Sequence, residues 1–419
     1  MDIEMAPPGN TQSAHGTVDL PFERSEYQRR IANVRAAMRL RGVEALLVVD
    51  PRNIYYLTGV SSQGYTHFQC VILLPTGDPS YVTWDFEAGM AASSSWLSNP
   101  DRITWNETTG ALAEGSWAVD VRTYAFTGDS FEPLVSILEE MGLKDAQLAL
   151  EMRSLTMSAA TFERLRVALP KASFIDAFGL VEGSRLRKSE AELAYMRRAA
   201  ALTDRAVDAG FAAGRVGAPD THIAAAIMNS VYLDGSDTVC WGPIVATGPN
   251  AGIGHASFTG RRLRDGDTVF LEISASVHRY VSPVMRTAVF GKPTAEMARI
   301  RDAGLASLDA VMTTARAGVP ASVAAKAGMA QLADVAGTVH FHNLFGYSVG
   351  IGFPPGWFET LGFDVSLQND ALLEPGMVFH VPLSLRKFAE FGVSQSQSIV
   401  ITESGAEALS SASPALREI

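Results

Sequence analysis

Residues 249–291 read PNAGIGHASFTGRRLRDGDTVFLEISASVHRYVSPVMRTAVFG, and the reading of the chain turns on them. A glycine-rich turn (Gly252, Gly254) carries His255. The run GDTVFLEIS is rich in β-branched and aromatic residues, a strand signal, and Asp265-Gly266-Asp267 ahead of it is a turn signal. HRYVSPVMRTAVF (278–290) returns with Tyr280 and Arg286, so the two runs form a hairpin about residues 274–278. Glu272 is an acid inside an otherwise apolar strand. Burying a carboxylate costs free energy unless it is paired, and that makes Glu272 the first candidate for chemistry.

Working outward, the chain has 419 residues, enough for two or three domains. It is 47% hydrophobic and 19% charged, with 34 Lys and Arg against 45 Asp and Glu, a net charge of −11. An acidic chain argues against nucleic acid and anionic membranes as partners. No apolar run reaches transmembrane length. Cys70 and Cys240 are far apart and lack CxxC spacing, which points to a reducing compartment, the cytoplasm. Residues 1–18 are polar with no signal-peptide apolar region, and read as a flexible tail.

Residues 19–183 alternate helix and strand signals. A helix over 23–41 ends at Gly42; strands follow at ALLVVD, FQCVILLP, SYVTW and LALEM; Pro51-Arg52-Asn53 reads as a turn. This is a mixed α/β domain. A seam near Ser184 leads into a long amphipathic helix with Met196, Ala200 and Ala206 facing inward. Asp220 reads as the N-cap of a second helix. Two further helices over 295–315 and 322–335, and strands at FGYSVGIG, MVFHVPLSL and GVSQSQSIVIT, complete a second domain over 184–419.

Several separated stretches then agree. LRKSEAEL, G-P-N-A-x-x-x-H (Gly248 to His255), LEIS…YVSPVMRT, FGYSVGIG, LEPGMVFHV and GVSQSQS, in this order, resemble the creatinase/prolidase/methionine-aminopeptidase family. The resemblance covers roughly residues 20–410. It implies an α+β fold: a pita-bread catalytic domain preceded by a creatinase-type α/β domain. In the peptidase members, two metal ions are held by Asp, Asp, His, Glu and Glu. The matching positions here are Glu272, Pro283, Tyr347, Pro382 and Ser396. Proline has no side-chain donor atom, and one carboxylate holds an ion poorly. The resemblance therefore implies a metal-free branch with no cofactor, like creatinase and ectoine hydrolase. HRY and GYSVGIGFPPGW resemble the second more closely; SQSQS and residues 60–68 depart from it.

On this reading the expected function is metal-independent hydrolysis of a C–N bond in a small cyclic amidine or amide. Glu272 is the expected nucleophile or base and His255 the proton shuttle. Tyr347, His342, His380, Tyr280 and Trp357 are the expected substrate contacts, with Tyr65 and His67 of the N-terminal domain closing the pocket, in a homodimer as in creatinase-like relatives. His340 and His342 alternate on one strand face without a matched third ligand, so no metal site is expected there. Arg286 reads as structural. The bland alternative for Glu272 is an ion pair with Arg286 or Arg279. Three other readings stand beside this one: a creatinase-like guanidine hydrolase or lyase, a non-catalytic binding protein, and a metal-dependent Xaa-Pro peptidase, which Pro283 and Pro382 oppose.

Overall fold

A computed structural model describes residues 20–99, 112, 114–359 and 363–419, with the backbone of two short paired strands, Gln12–Ser13 and Gly16–Thr17. Apart from that backbone, the tail expected over 1–18 lies outside the described residues. The chain divides into two compact units between Ser184 and Arg185.

The N-terminal unit is built on a six-stranded mixed sheet. In spatial order its strands are Val121–Tyr124, Ser80–Trp84, Cys70–Leu73, Leu46–Val48, Gln147–Leu150 and Ser173–Asp176. Leu47, Ile72, Val82 and Leu148 anchor its core against the helix Glu132–Glu140. The helix Arg24–Arg41 stops where Gly42 takes a left-handed conformation (φ 65°), as expected of a glycine after a last helical turn. Residues 51–53 form no turn. They open a helix, Pro51–Thr58, because Asp50 accepts the Arg52 N–H and proline suits the first helical position.

Among the described residues the C-terminal unit contains two sheets. The smaller orders Arg417–Glu418, Val284–Val289, Thr268–Ile273 and Ile244–Thr247. The larger orders Ser276–Val277, Tyr280–Val281, Leu344–Phe353, Val378–Lys387, Phe391–Ile401 and Ala406–Ala408, with Gly356–Phe358 and Asp364–Ser366 also paired to Leu344–Phe353. The helices Glu190–Ala213 and Thr221–Leu233 share a core with the smaller sheet through Val207, Ile227, Val269 and Leu271. Gly210 lets them approach closely, since a Cβ there would meet the Ile227 side chain. Ala295–Thr314 and Ala321–Ala330 share another core with the larger sheet through Leu308, Ala325, Phe379 and Leu385. Ser189 and Glu192 form a reciprocal capping box at the start of the long helix. Asp220 stands at the N-cap position but makes no cap bond. Its carboxylate instead accepts from the N–H groups of Thr259 and Gly260.

The expected hairpin divides in two. Thr268–Ile273 pairs with Val284–Val289, setting Glu272 opposite Met285. Between them Ser276–Val281 makes its own hairpin, turning through His278 (φ 47°) and Arg279 (φ 64°), a left-handed pair that suits the strand twist. That inner hairpin joins the larger sheet by pairing Tyr280 with Ile351, so one strand run serves both sheets.

The sheets are stitched by the SQSQS run. Alternate residues of a strand share a face; Ser396 and Ser398 meet the strand 283–289 with their hydroxyls, and Ser394 meets it with its backbone, its own hydroxyl pairing with Ser384. Ser394 N–H donates to Thr287 Oγ1 (2.9 Å), Met285 N–H donates to Ser396 Oγ (2.6 Å), and Ser398 Oγ donates to the Pro283 carbonyl (2.8 Å). Small hydroxyls here let two strands meet closely and satisfy the Met285 N–H and the Pro283 carbonyl, while the side-chain carbonyls of Gln395 and Gln397 in the same run are buried without a hydrogen-bond partner among the described residues.

Candidate active site

The site begins with the alternation of Thr268–Ile273. Val269, Leu271 and Ile273 pack into the helix-side core, while Phe270 belongs to a separate cluster with Ile244 and Met285. Glu272 shares the face of Phe270 and lines a cavity of about 620 Å³ within the C-terminal unit. It is 6% exposed. Burial pushes its carboxyl up to about 7, opposed by the positive charge of Arg386. No ion pair forms with Arg286 or Arg279. Arg286 donates to the carbonyls of Met285, Ser396 and Ala412 and to Ser410 Oγ, and Arg279 stacks over Phe353. Arg286 is the structural residue expected.

His255 lines the same cavity from the glycine-rich turn, at φ 58° and open to solvent. Two glycines bring that turn onto the larger sheet. A Cβ on Gly252 would strike the Lys387 carbonyl, and one on Gly392 the Ala251 carbonyl. Arg386 fastens it by donating from Nη1 to the carbonyls of Ala251 (2.8 Å) and Ile253 (3.1 Å).

Tyr347 and Trp357 also line the cavity. The Trp357 indole donates to the Tyr347 hydroxyl (2.9 Å), and Trp241 stacks obliquely on Trp357 at 5.3 Å, giving one wall an aromatic surface. Burial, then the Glu272 charge, hold the Tyr347 phenol well above its ordinary value, so it stays a neutral hydroxyl. His342 also lines the cavity. Its Nδ1 accepts the Leu344 N–H (3.1 Å), and burial and the Arg386 charge push its pKa down to about 4, so the neutral ring carries its proton on Nε2.

Two expected contacts stand elsewhere. His380 is fully buried behind the wall, with Nδ1 2.7 Å from the Tyr347 hydroxyl and Nε2 2.7 Å from Ser396 Oγ. Burial pushes it down to about 3 and keeps it neutral. It reaches the cavity only through Tyr347. Tyr280 is also fully buried and donates to Glu192 (2.8 Å), the capping-box acid, because the inner hairpin leans on the long helix. Tyr65 and His67 belong to the N-terminal unit, where His67 stacks on Trp84 at 4.4 Å.

Sequence reasoning missed Arg386, Glu359 and Trp241, all on the cavity wall. Glu359 is buried and accepts from Lys188 Nζ (2.8 Å) and Arg185 Nη2 (3.1 Å). A signal existed for Arg386: it shares a strand face with Pro382 and Ser384, a period-two step from a position the resemblance had placed at the centre.

Residues 194–403 match the Metallopeptidase family M24, and residues 30–187 match the Creatinase/Prolidase N-terminal domain. The chain belongs to the M24 family. Among similar proteins, "Ectoine hydrolase" of Halomonas elongata is 29% identical over 402 residues, covering 94% of this chain and 97% of that protein. The prolidase of Thermococcus sibiricus superposes with a TM-score of 0.80 at 22% identity, over 94% of this chain and 99% of that one. The Xaa-Pro dipeptidase of Bacillus anthracis superposes at 0.77 and 19% identity, over 94% and 100%. The pita-bread fold and the hydrolase scaffold follow.

The M24 description implies metal ions, and the donor set here does not fit them. Of the five matching positions, Glu272, Tyr347 and Pro382 line the cavity. Ser396 is buried, with its hydroxyl taken by His380 and Met285. One carboxylate, one phenol and two prolines cannot hold a pair of hard divalent ions. Among the described residues no three His, Cys, Asp or Glu side chains come together as a metal cluster. Among the described residues, too, no helix is long and apolar enough to cross a membrane.

Proposed function

We propose that this M24 chain is a metal-independent hydrolase that opens a C–N bond in a small cyclic amidine or amide, with ectoine or hydroxyectoine as the named substrate. One observation carries the reading: Glu272 stands in the cavity wall with its carboxyl near 7, between an ordinary acid and a base suited to neutral pH. The 29% identity to a protein called ectoine hydrolase over nearly the whole chain supports the substrate class. That Glu272, His255 and Tyr347 share one cavity favours an enzyme over a binding module.

In the covalent route the Glu272 carboxylate attacks the amidine carbon. One C–N bond breaks, and His255 supplies the proton to the departing nitrogen. Water then attacks the same carbon, the bond to Glu272 breaks, and an amide leaves with the regenerated carboxylate. In the alternative route Glu272 takes a proton from water, and that water attacks directly. Either way one water is consumed. Tyr347, a neutral hydroxyl beside Glu272, hydrogen-bonds the charge that develops on the substrate. The reading takes the enzyme to be a cytoplasmic homodimer.

The test is to incubate chelator-treated, metal-analysed protein with ectoine, hydroxyectoine, creatine and a prolyl dipeptide, and to read products by mass spectrometry. Ring opening by metal-free protein is expected. Turnover of the dipeptide alone, and only after metal is added, would sink the proposal.

A further inference from the structure

Arg386 is a cation set into the cavity wall and 7% exposed. A guanidinium this deep is costly unless something compensates its charge. Its inner edge is committed: Nε donates to Ser384 Oγ (2.8 Å), and Nη1 to the Ala251 and Ile253 carbonyls. These partners are neutral. Phe270 lies under its face at 4.5 Å. Nη2 has no hydrogen-bond partner among the described residues, and no carboxylate among them forms an ion pair with Arg386. Glu272 feels its charge without bonding to it.

The reaction makes this imbalance worse. If Glu272 becomes an ester, or takes up a proton, the acid whose charge acts on Arg386 among the described residues is neutralised while the guanidinium stays buried. A substrate bringing its own fixed negative charge would offset the cation throughout, and the open edge of an arginine whose other nitrogens are pinned is suited to a carboxylate. Glu359, the other buried acid on the wall, is occupied by Lys188 and Arg185.

We infer that Arg386 is the anchor for a carboxylate on the substrate, so that this cavity selects small carboxylate-bearing zwitterions or anions over uncharged or purely cationic rings. The inference rests on the proposed reaction for its setting. It is tested without turnover.

Wild-type protein, Arg386→Met and Arg386→Lys are titrated by calorimetry with cyclohexanecarboxylate and with its neutral isostere, cyclohexanecarboxamide. Wild type is expected to prefer the carboxylate by about tenfold to a hundredfold. Arg386→Met should lose the preference, read as the ratio of the two affinities so that any loosening of the His255 turn cancels, and Arg386→Lys should keep part of it. A merely structural arginine would weaken both probes together. No preference in wild type, or an undiminished preference in Arg386→Met, overturns the inference. Should Arg386→Met fail to fold, an undiminished preference in Arg386→Lys does the same. Ectoine turnover without carboxylate preference would remove the anchor and leave the reaction standing. Carboxylate preference without ectoine turnover would do the reverse.

Discussion

The Tyr347 hydroxyl lies 2.7 Å from Nδ1 of His380, a histidine that never touches the cavity. Trp357 donates to the same hydroxyl from the other side, and Ser396 meets the far nitrogen of the ring. A neutral imidazole carries one N–H, so its tautomer decides which way the Tyr347 proton points. His380→Phe should therefore cut kcat about tenfold or more with little change in KM, whereas Tyr347→Phe should change both. Steady-state kinetics on the two variants check this, and a His380→Phe effect confined to KM would contradict it.

His380 also sets the acid limit of the fold. Its pKa falls from 6.5 to about 3 on folding, so the unfolded chain binds a proton that the native one refuses. The stability it contributes is complete above 6.5 and is lost as the pH drops from there towards 3. Urea midpoints measured from pH 7 to pH 4 should decline, and His380→Phe should flatten part of that decline.

Glu272 has the opposite sign. Its folded pKa is raised from 4.5 to about 7, so the native state keeps a proton that the unfolded chain has released. Stability falls as the pH rises through that window, by about 3 kcal/mol in all. Glu272→Gln should be inactive yet more stable than wild type at pH 8, with the gap closing by pH 4.5. Equal urea midpoints at pH 8 would show that the acid is not strained by its burial.

Activity should follow the same group. Whether Glu272 is a nucleophile or a base, only its ionised form works, so kcat/KM should fall tenfold per pH unit below about 7. Arg386→Met removes the charge that favours the carboxylate and should move this limb to higher pH. An unmoved limb would show that the Arg386 charge does not tune Glu272.

The His255 turn rests on close backbone approach. Gly252→Ala would drive a methyl into the Lys387 carbonyl and push His255 away from the wall. A loss of about 1–3 kcal/mol in stability is expected, together with a fall in kcat, measured by denaturant melts and turnover. Unchanged values for both would mean the turn relaxes freely.

The sequence by itself determined the local elements and the family. Gly42 as a helix stop, the long amphipathic helix after Ser184 and the alternating strand runs follow from conformational preferences that each segment carries alone. The resemblance placed displaced ligand positions at Glu272 and Tyr347, and the glycine-rich turn, the His-x-His run and the Pro/Trp loop offered His255, His342 and Trp357; the structure gathers all five on one cavity. Only the tertiary structure decided what lies in front of the wall and what lies behind it. His380 and Arg386 are six residues apart on one strand, yet the first is sealed behind Tyr347 and the second opens on the cavity. Period two gives a side chain its face but not what packs over that face. The overlay comes from strands far away in sequence. The same holds for the raised pKa of Glu272: a carboxylate's charge can be read from one letter, but the cost of keeping that charge depends on water excluded by residues from Trp241 to Arg386.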